Sequence, residues 1–431
     1  MYLNRTSKLI LLFFVLIAGK TISQDTLNSK IVEQKSYQLY LDKNWSELIK
    51  FGNNSINKGF DYYYLQIRIG IAYFEKKNYS LAEKHFKKVL EFNSDDELAK
   101  EYLYYCYIYN GRSEEARLLS KNFGNDLSEK IGILQQSKVG FVMLEGGTKI
   151  TDSPNYYDDS TKKKTNYFNP PVYLQFGLNH YFKNRFSIFH ALTYYKQVSF
   201  LGDARQVQYY IKASIPFKNN CLISPSIHLL HSNFITESVI TTTMIGGPPP
   251  PPGFPPPIIT NTISVTNSSK SNAVVGSLAV QKTINKFTLT LGTLVSNIAN
   301  KTQIIHNGFI SYSVFGNSKL VLGCNGYAHT TNNYSTTYAA FTPFIYVQPF
   351  HKLSIKGSYF LNNGTNIIED NGYLINNSFD LTTSRWSGLV NLNLNKKISI
   401  YGLYQLENKK EKGQLFNYKY NVIVFGFKIT P

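Results

Sequence analysis

The chain has 431 residues, is 43% hydrophobic and 15% aromatic, and carries a formal net charge of +18. Its Lys and Arg are dispersed over turns and element faces, which excludes a nucleic-acid partner and directs the basic surface to lipid phosphates or an anionic solute or polymer. The 3 cysteines, Cys106, Cys221 and Cys324, are odd in number and widely spaced, so no disulfide framework, zinc site or redox motif is expected and all three read as small buried or lipid-facing residues.

At the start of the chain Arg5 and Lys8 precede the apolar run Leu9 to Ala18, and Thr21-Ile22-Ser23 supplies small residues at the −3 and −1 positions of a cleavage site. Residues 1–23 are therefore expected to be a secretory signal, with the mature chain opening at Gln24. The run is too short for a spanning anchor, and no apolar stretch of about 18 or more residues follows it.

Residues 24–135 have an apolar period near 3.6 and few turn residues inside elements, the pattern of helices. Gly70 and Ala82 would let two helices approach closely, while Tyr73 and Phe86 fill the seam between them. The window Tyr62 to Asp95, with Ile69-Gly70, Tyr73, Tyr79, Ala82, Phe86 and Val89-Leu90, resembles a tetratricopeptide repeat, a helix–turn–helix unit of about 34 residues. Gln66 and Ser94 depart from that family, which prefers Trp and Pro there. One period forward stand Tyr107, Gly111-Arg112 and Ala116, and one period back Trp45 and Leu48, so about three repeats are expected. The resemblance implies a concave groove for a periplasmic protein or peptide, lined by Tyr64, Ile71, Phe74, Tyr105 and Ile108. A plain helical bundle, with these side chains packed inward, is the alternative.

From 137 to 431 the period changes to two. Val172, Leu174, Phe176, Leu178 and Phe182 share one face; Tyr173, Gln175, Gly177, Asn179 and Tyr181 share the other. Val207, Tyr209, Ile211, Ala213 and Ile215 alternate with Gln206, Gln208, Tyr210, Lys212 and Ser214, and the pattern recurs at Phe287–Leu291, Leu353–Gly357 and Val390–Asn395. Every second connection is a short basic turn, as at Lys183-Asn184-Arg185, Lys218-Asn219-Asn220, Asn285-Lys286, His351-Lys352 and Lys396-Lys397; the connections between them are longer and polar. Phe182, Phe217, Phe315 and Phe350 end strands beside such turns, as an interfacial girdle would. These features predict an antiparallel transmembrane β-barrel of about fourteen strands, with short turns on one side and long loops on the other. The expected fold is thus α + β in separate domains, helical repeats followed by a barrel. The run Gly246 to Pro257 favours a stiff, exposed polyproline loop, either a spacer or a partner site.

The 8 histidines are scattered, and no nucleophile elbow, phosphate loop or metal-spaced pair is found, so no catalytic, cofactor or metal residue is assigned. Lys212, His228 and Lys356 fall on the luminal phase of their strands. Signal, repeats and barrel together resemble single-chain outer-membrane proteins of Gram-negative bacteria. That resemblance implies a barrel for transport, export or envelope assembly in the outer membrane, with the repeats in the periplasm. A non-conducting anchor or scaffold for a periplasmic or secretion complex is the alternative, and a lipid-acting barrel enzyme a third.

Overall fold

The computed structural model describes residues 27–133, 138–152, 155–158, 163–166, 169–182, 185–199, 202–245, 258–331, 336–364, 367–376, 380–410 and 417–431. The expected signal segment, the proline-rich run, the Lys183-Asn184 part of its turn and the junction at 134–137 lie outside them.

Among the described residues seven helices come first: α1 (Ser29–Leu41), α2 (Trp45–Asn57), α3 (Tyr63–Glu75), α4 (Tyr79–Phe92), α5 (Glu97–Tyr109), α6 (Ser113–Ser120) and α7 (Asn125–Ile131). Asparagine or aspartate caps four of them: Asn28, Asn44, Asn78 and Asp96 each accept a backbone N–H of the first turn. Consecutive helices pack antiparallel because connections of a few residues leave no other arrangement. Gly70 is the point of closest approach between α3 and α4: a Cβ there would stand 2.9 Å from the Phe86 ring. Around this contact Ile67, Ile71, Ala82, Phe86, Val89, Leu103 and Tyr107 form a continuous core. A second core joins Val32, Phe51, Leu65 and Ile69.

The remainder is a closed barrel. Its strands are β1 (Val139–Thr151), β4 (Val172–Phe182), β5 (Phe186–Ser199), β6 (Gly202–Phe217), β7 (Cys221–Ile245), β8 (Ile258–Ile284), β9 (Phe287–Ser296), β10 (Gln303–Ser313), β11 (Leu320–Thr331), β12 (Thr336–Phe350), β13 (Leu353–Gly364), β16 (Leu381–Asn393), β17 (Ile398–Lys410) and β18 (Asn417–Ile429). These fourteen form one antiparallel cycle in which β18 closes on β1. Two small hairpins stand apart from the wall, β2 (Asn155–Asp158) with β3 (Lys163–Asn166), and β14 (Ile367–Glu369) with β15 (Leu374–Asn376). Most barrel strands have 10 to 16 residues, but β7 has 25 and β8 has 27, paired along their whole length.

The period of two decides which side chains face out. Leu174, Phe176, Leu291, Val295, Ile345 and Val390 are exposed on the exterior, whereas Gln175 and Thr290 between them are buried inside. A wall apolar outside and polar inside suits lipid around it and water within. Phe182, Phe217, Phe287, Phe315 and Phe350 are exposed next to the short turns, where a ring girdle is expected. Cys221 and Cys324 stand on outward phases and Cys106 is buried among the helices; all three are free thiols.

The helices dock on the short-turn rim. Asn219 and Asn220, with φ of 61° and 60°, make the β6–β7 turn. Asn220 donates to Glu83 Oε1 at 2.7 Å and also receives Lys87. Glu83 in turn receives Arg112 at 2.7 Å, and Arg112 reaches Glu115 at 2.9 Å while lying 4.5 Å over the Tyr107 ring. At the β10–β11 turn Ser80 donates its backbone N–H to Gly316 O at 3.0 Å, and Asn317 donates to Lys77 O at 2.7 Å. The Arg117 guanidinium lies over the luminal Tyr181 ring, 3.5 Å from its centroid. Helices and barrel therefore share a hydrogen-bonded interface, which engages the turns that precede β7 and β11.

Candidate functional site

The lumen is the functional space of a barrel, and here a loop folds into it. Between β13 and β16 the chain turns inward and forms the β14–β15 hairpin. Its tip, Asp370-Asn371-Gly372, has φ of 48°, 55° and 84° in succession. Two non-glycine residues in the left-handed region are costly and persist only where surrounding contacts hold them. The contacts are on the wall. Asn371 O accepts Ser226 Oγ at 2.7 Å and Ser277 Oγ at 3.0 Å, and Gly372 O accepts His228 Nδ1 at 2.7 Å. Arg385 pairs with Glu369, and Gln175 bonds the Tyr373 hydroxyl. Tyr373 also packs on Tyr210 and Phe189, with ring centroids 5.1 and 5.7 Å apart.

Burial anchors the first strand of the hairpin on one side. Ile367 and Ile368 are buried against Leu230, Val275, Leu294, Ile305 and Phe360, all on luminal phases of β7, β8, β9, β10 and β13. Each buried isoleucine contributes about 1.5–3 kcal/mol. That half of the lumen is filled.

The other half is open. A cavity of about 1050 Å³ lies between the hairpin and the wall formed chiefly by β1, β4–β6 and β16–β18. Glu145, Glu369, Asp370, Asp380 and Glu407 line it, with Lys149, Arg205, Lys356, Arg385 and Lys409, so its described charges balance. Most are matched locally: Glu145 accepts the hydroxyls of Tyr173 and Tyr401, Asp380 that of Tyr418, and Glu407 lies 3.8 Å from both Lys149 and Lys409. Lys356 is over the Phe344 ring, 4.7 Å from its centroid. Tyrosines and apolar side chains, among them Tyr195, Tyr420, Leu403, Val422 and Val424, supply much of the remaining wall. Such a surface can hold a small solute by ring faces and neutral hydrogen bonds; it offers little to an ion.

No family model matches this chain, and no curated protein matches it. Among solved structures it is similar to a Pseudomonas aeruginosa FadL homologue at 10% identity, covering 67% of this chain and 90% of that one, with a TM-score of 0.39. The P. putida toluene transporter TodX matches at 9% identity, over 67% of this chain and 90% of that one, with a TM-score of 0.42. The Acinetobacter baumannii outer membrane protein Omp33 matches at 10% identity, over 69% and 100%, with a TM-score of 0.35. These scores are too low to transfer a function; the barrel rests on its own strand pairing.

The residues singled out in the sequence are dispersed. Lys356 lines the cavity. His228 is luminal but buried beneath the hairpin and committed to Gly372 O. Lys212, on the luminal phase of β6, pairs in register with Phe189 and Ser226 and is absent from the cavity wall. On the helices Tyr64 is 60% exposed and Ile108 is exposed, Phe74 and Tyr105 are partly buried, and Ile71 is 6% exposed in the core. Ile71 is therefore closed to a partner, because it fills the space between α3 and its neighbours. The hairpin and Glu145 were missed. One signal for them was present: Leu230, Leu294, Ile305 and Phe360 put apolar side chains on the phase that faces water in an empty lumen.

Proposed function

We propose that this chain is an outer-membrane β-barrel that passes small solutes through its lumen, beside the inward-folded hairpin. The observation that carries this reading is the cavity of about 1050 Å³ left open within an apolar-sided barrel. The exterior apolar band supports lipid as the surrounding medium, and the short-turn rim supports a periplasmic position for the helices. On this reading the helices narrow the periplasmic mouth at the turns before β7 and β11, and their exposed Tyr64 and Ile108 remain available to a periplasmic protein.

One observation favours the second reading, a non-conducting anchor. The hairpin reaches wall residues on both sides of the lumen, Gln175 and Asn307 among them. Planar-bilayer recordings separate the two. The full chain should give small, stable conductance steps, and replacing residues 367–376 by a short Gly-Ser link should enlarge them severalfold. Silence from both proteins, each folded by heat-modifiable migration, would leave the anchor reading standing.

A further inference from the structure

The cavity wall along β1, β17 and β18 contains a recess whose floor is laid over two glycines, Gly426 and Gly147. In register, Tyr401 of β17 lies opposite Gly426 of β18, which lies opposite Glu145 of β1. A Cβ on Gly426 would stand 2.3 Å from Tyr401 Cζ. The phenol ring thus lies across the glycine, reaching over β18 to Glu145, and lines the cavity. Gly147, the next inward position along β1, is covered in the same way by Val424, whose Cγ2 would stand 2.8 Å from a Cβ there, and Leu403 lines the cavity beside them. Tyr173 closes the far side and is tied to the same carboxylate. Tyr373 of the hairpin, bonded to Gln175 beside Glu145, borders the recess, and Leu374 lines the same cavity.

Polar groups surround this apolar floor. Gln405 donates one N–H to Ser387 Oγ at 3.2 Å, and Gln175 accepts Thr193 Oγ1 at 2.8 Å. A glutamine amide has two donors and two acceptor lone pairs, and a carboxylate has about four acceptor sites, so Gln405 and Glu145 keep capacity toward the cavity. A hydrocarbon would fill the volume but leave the remaining hydrogen-bonding capacity of Gln405 and Glu145 unused. An ion would meet charges already compensated.

We propose that the recess binds a neutral, hydroxyl-rich ring, a mono- or disaccharide. The C–H face of a pyranose would lie on Tyr401 and the Leu403–Val424 floor. Its hydroxyls would reach Glu145 and Gln405. This rests on the lumen being a solute route, but binding and passage can be measured apart.

Titration calorimetry of the detergent-purified full chain with cellobiose, toluene and gluconate tests it. Cellobiose should bind. Tyr401→Ala should weaken it at least about tenfold, Tyr401→Phe much less, and Gln405→Leu severalfold. Should Tyr401→Ala fail to fold, Leu403→Trp, which fills the recess, must abolish binding. Preference for toluene or gluconate would overturn the proposal, as would cellobiose binding indifferent to Gln405→Leu and to whichever recess variant folds. Liposome swelling separates site from route: cellobiose bound but not admitted leaves the site and removes the conduit, whereas admission without binding does the reverse.

Discussion

Glycine 426 carries more consequence than its size suggests. Gly426→Ala places a methyl far inside van der Waals contact with the Tyr401 ring, which must rotate away and lose its hydrogen bond to Glu145. A loss of about 1–3 kcal/mol is expected, from overpacking and the carboxylate's lost partner, and guanidinium refolding into vesicles would measure it. The exterior gives a companion test. Leu291 is 73% exposed at the middle of β9, so Leu291→Arg should cost roughly 2–4 kcal/mol in the same assay. Gln208→Arg, facing the cavity, should leave stability near that of the parent. Side-chain phase at positions such as Leu291 was legible in the sequence because a period of two has only one solution once lipid is outside. The role of Glu145 was not, since Tyr173 and Tyr401 meet it from distant parts of the chain.

At the scale of elements, the strands were readable and the contacts between elements were not. Each wall strand announces itself by alternation, but β14 presents Ile367, Ile368 and Glu369 all buried, a pattern with no period. The docking of the helices was equally silent, because much of it runs through main-chain carbonyls of Gly316 and Lys77. The helical half does offer a pH test. His85 is buried, bonded by Nδ1 to Gln66 at 2.6 Å and stacked on Tyr73. Burial, aided by the nearby Lys84 charge, pushes its pKa down to about 4 from 6.5. The fold therefore favours neutral His85. That contribution is complete above pH 6.5 and is lost as the pH falls toward 4, amounting to on the order of 2–3 kcal/mol. With Trp386→Phe leaving Trp45 as the reporter on the helices, fluorescence-detected unfolding should show this acid loss, and His85→Gln should flatten it.

Over the whole molecule, net charge and luminal charge tell different stories. The chain carries +18, yet the described charges of the cavity cancel. With the cavity charges balanced, weak ion selectivity is expected. In a salt gradient the reversal potential should stay near zero, and Lys356→Glu should move it slightly toward cations. A strong anion preference in the parent would place the conducting path outside this cavity. Composition could not reveal the cancellation, because it depends on which five cations line the cavity.

The closing seam has a bearing on how the protein matures. Hydrogen bonds between β18 and β1 unite the two ends of the wall, and Glu145 meets Tyr401 across 256 positions of sequence. No earlier stage of assembly can make that contact, since β17 and β18 arrive last and their partner first. Long-range pairing of this kind is slow, and an unsealed intermediate exposes two strand edges. The carboxylate of Glu145 consequently waits, unclamped, until the cylinder seals. Ligand capture at Tyr401 would then report completion of the barrel itself, distinguishing sealed molecules from nearly finished ones that share almost every other contact.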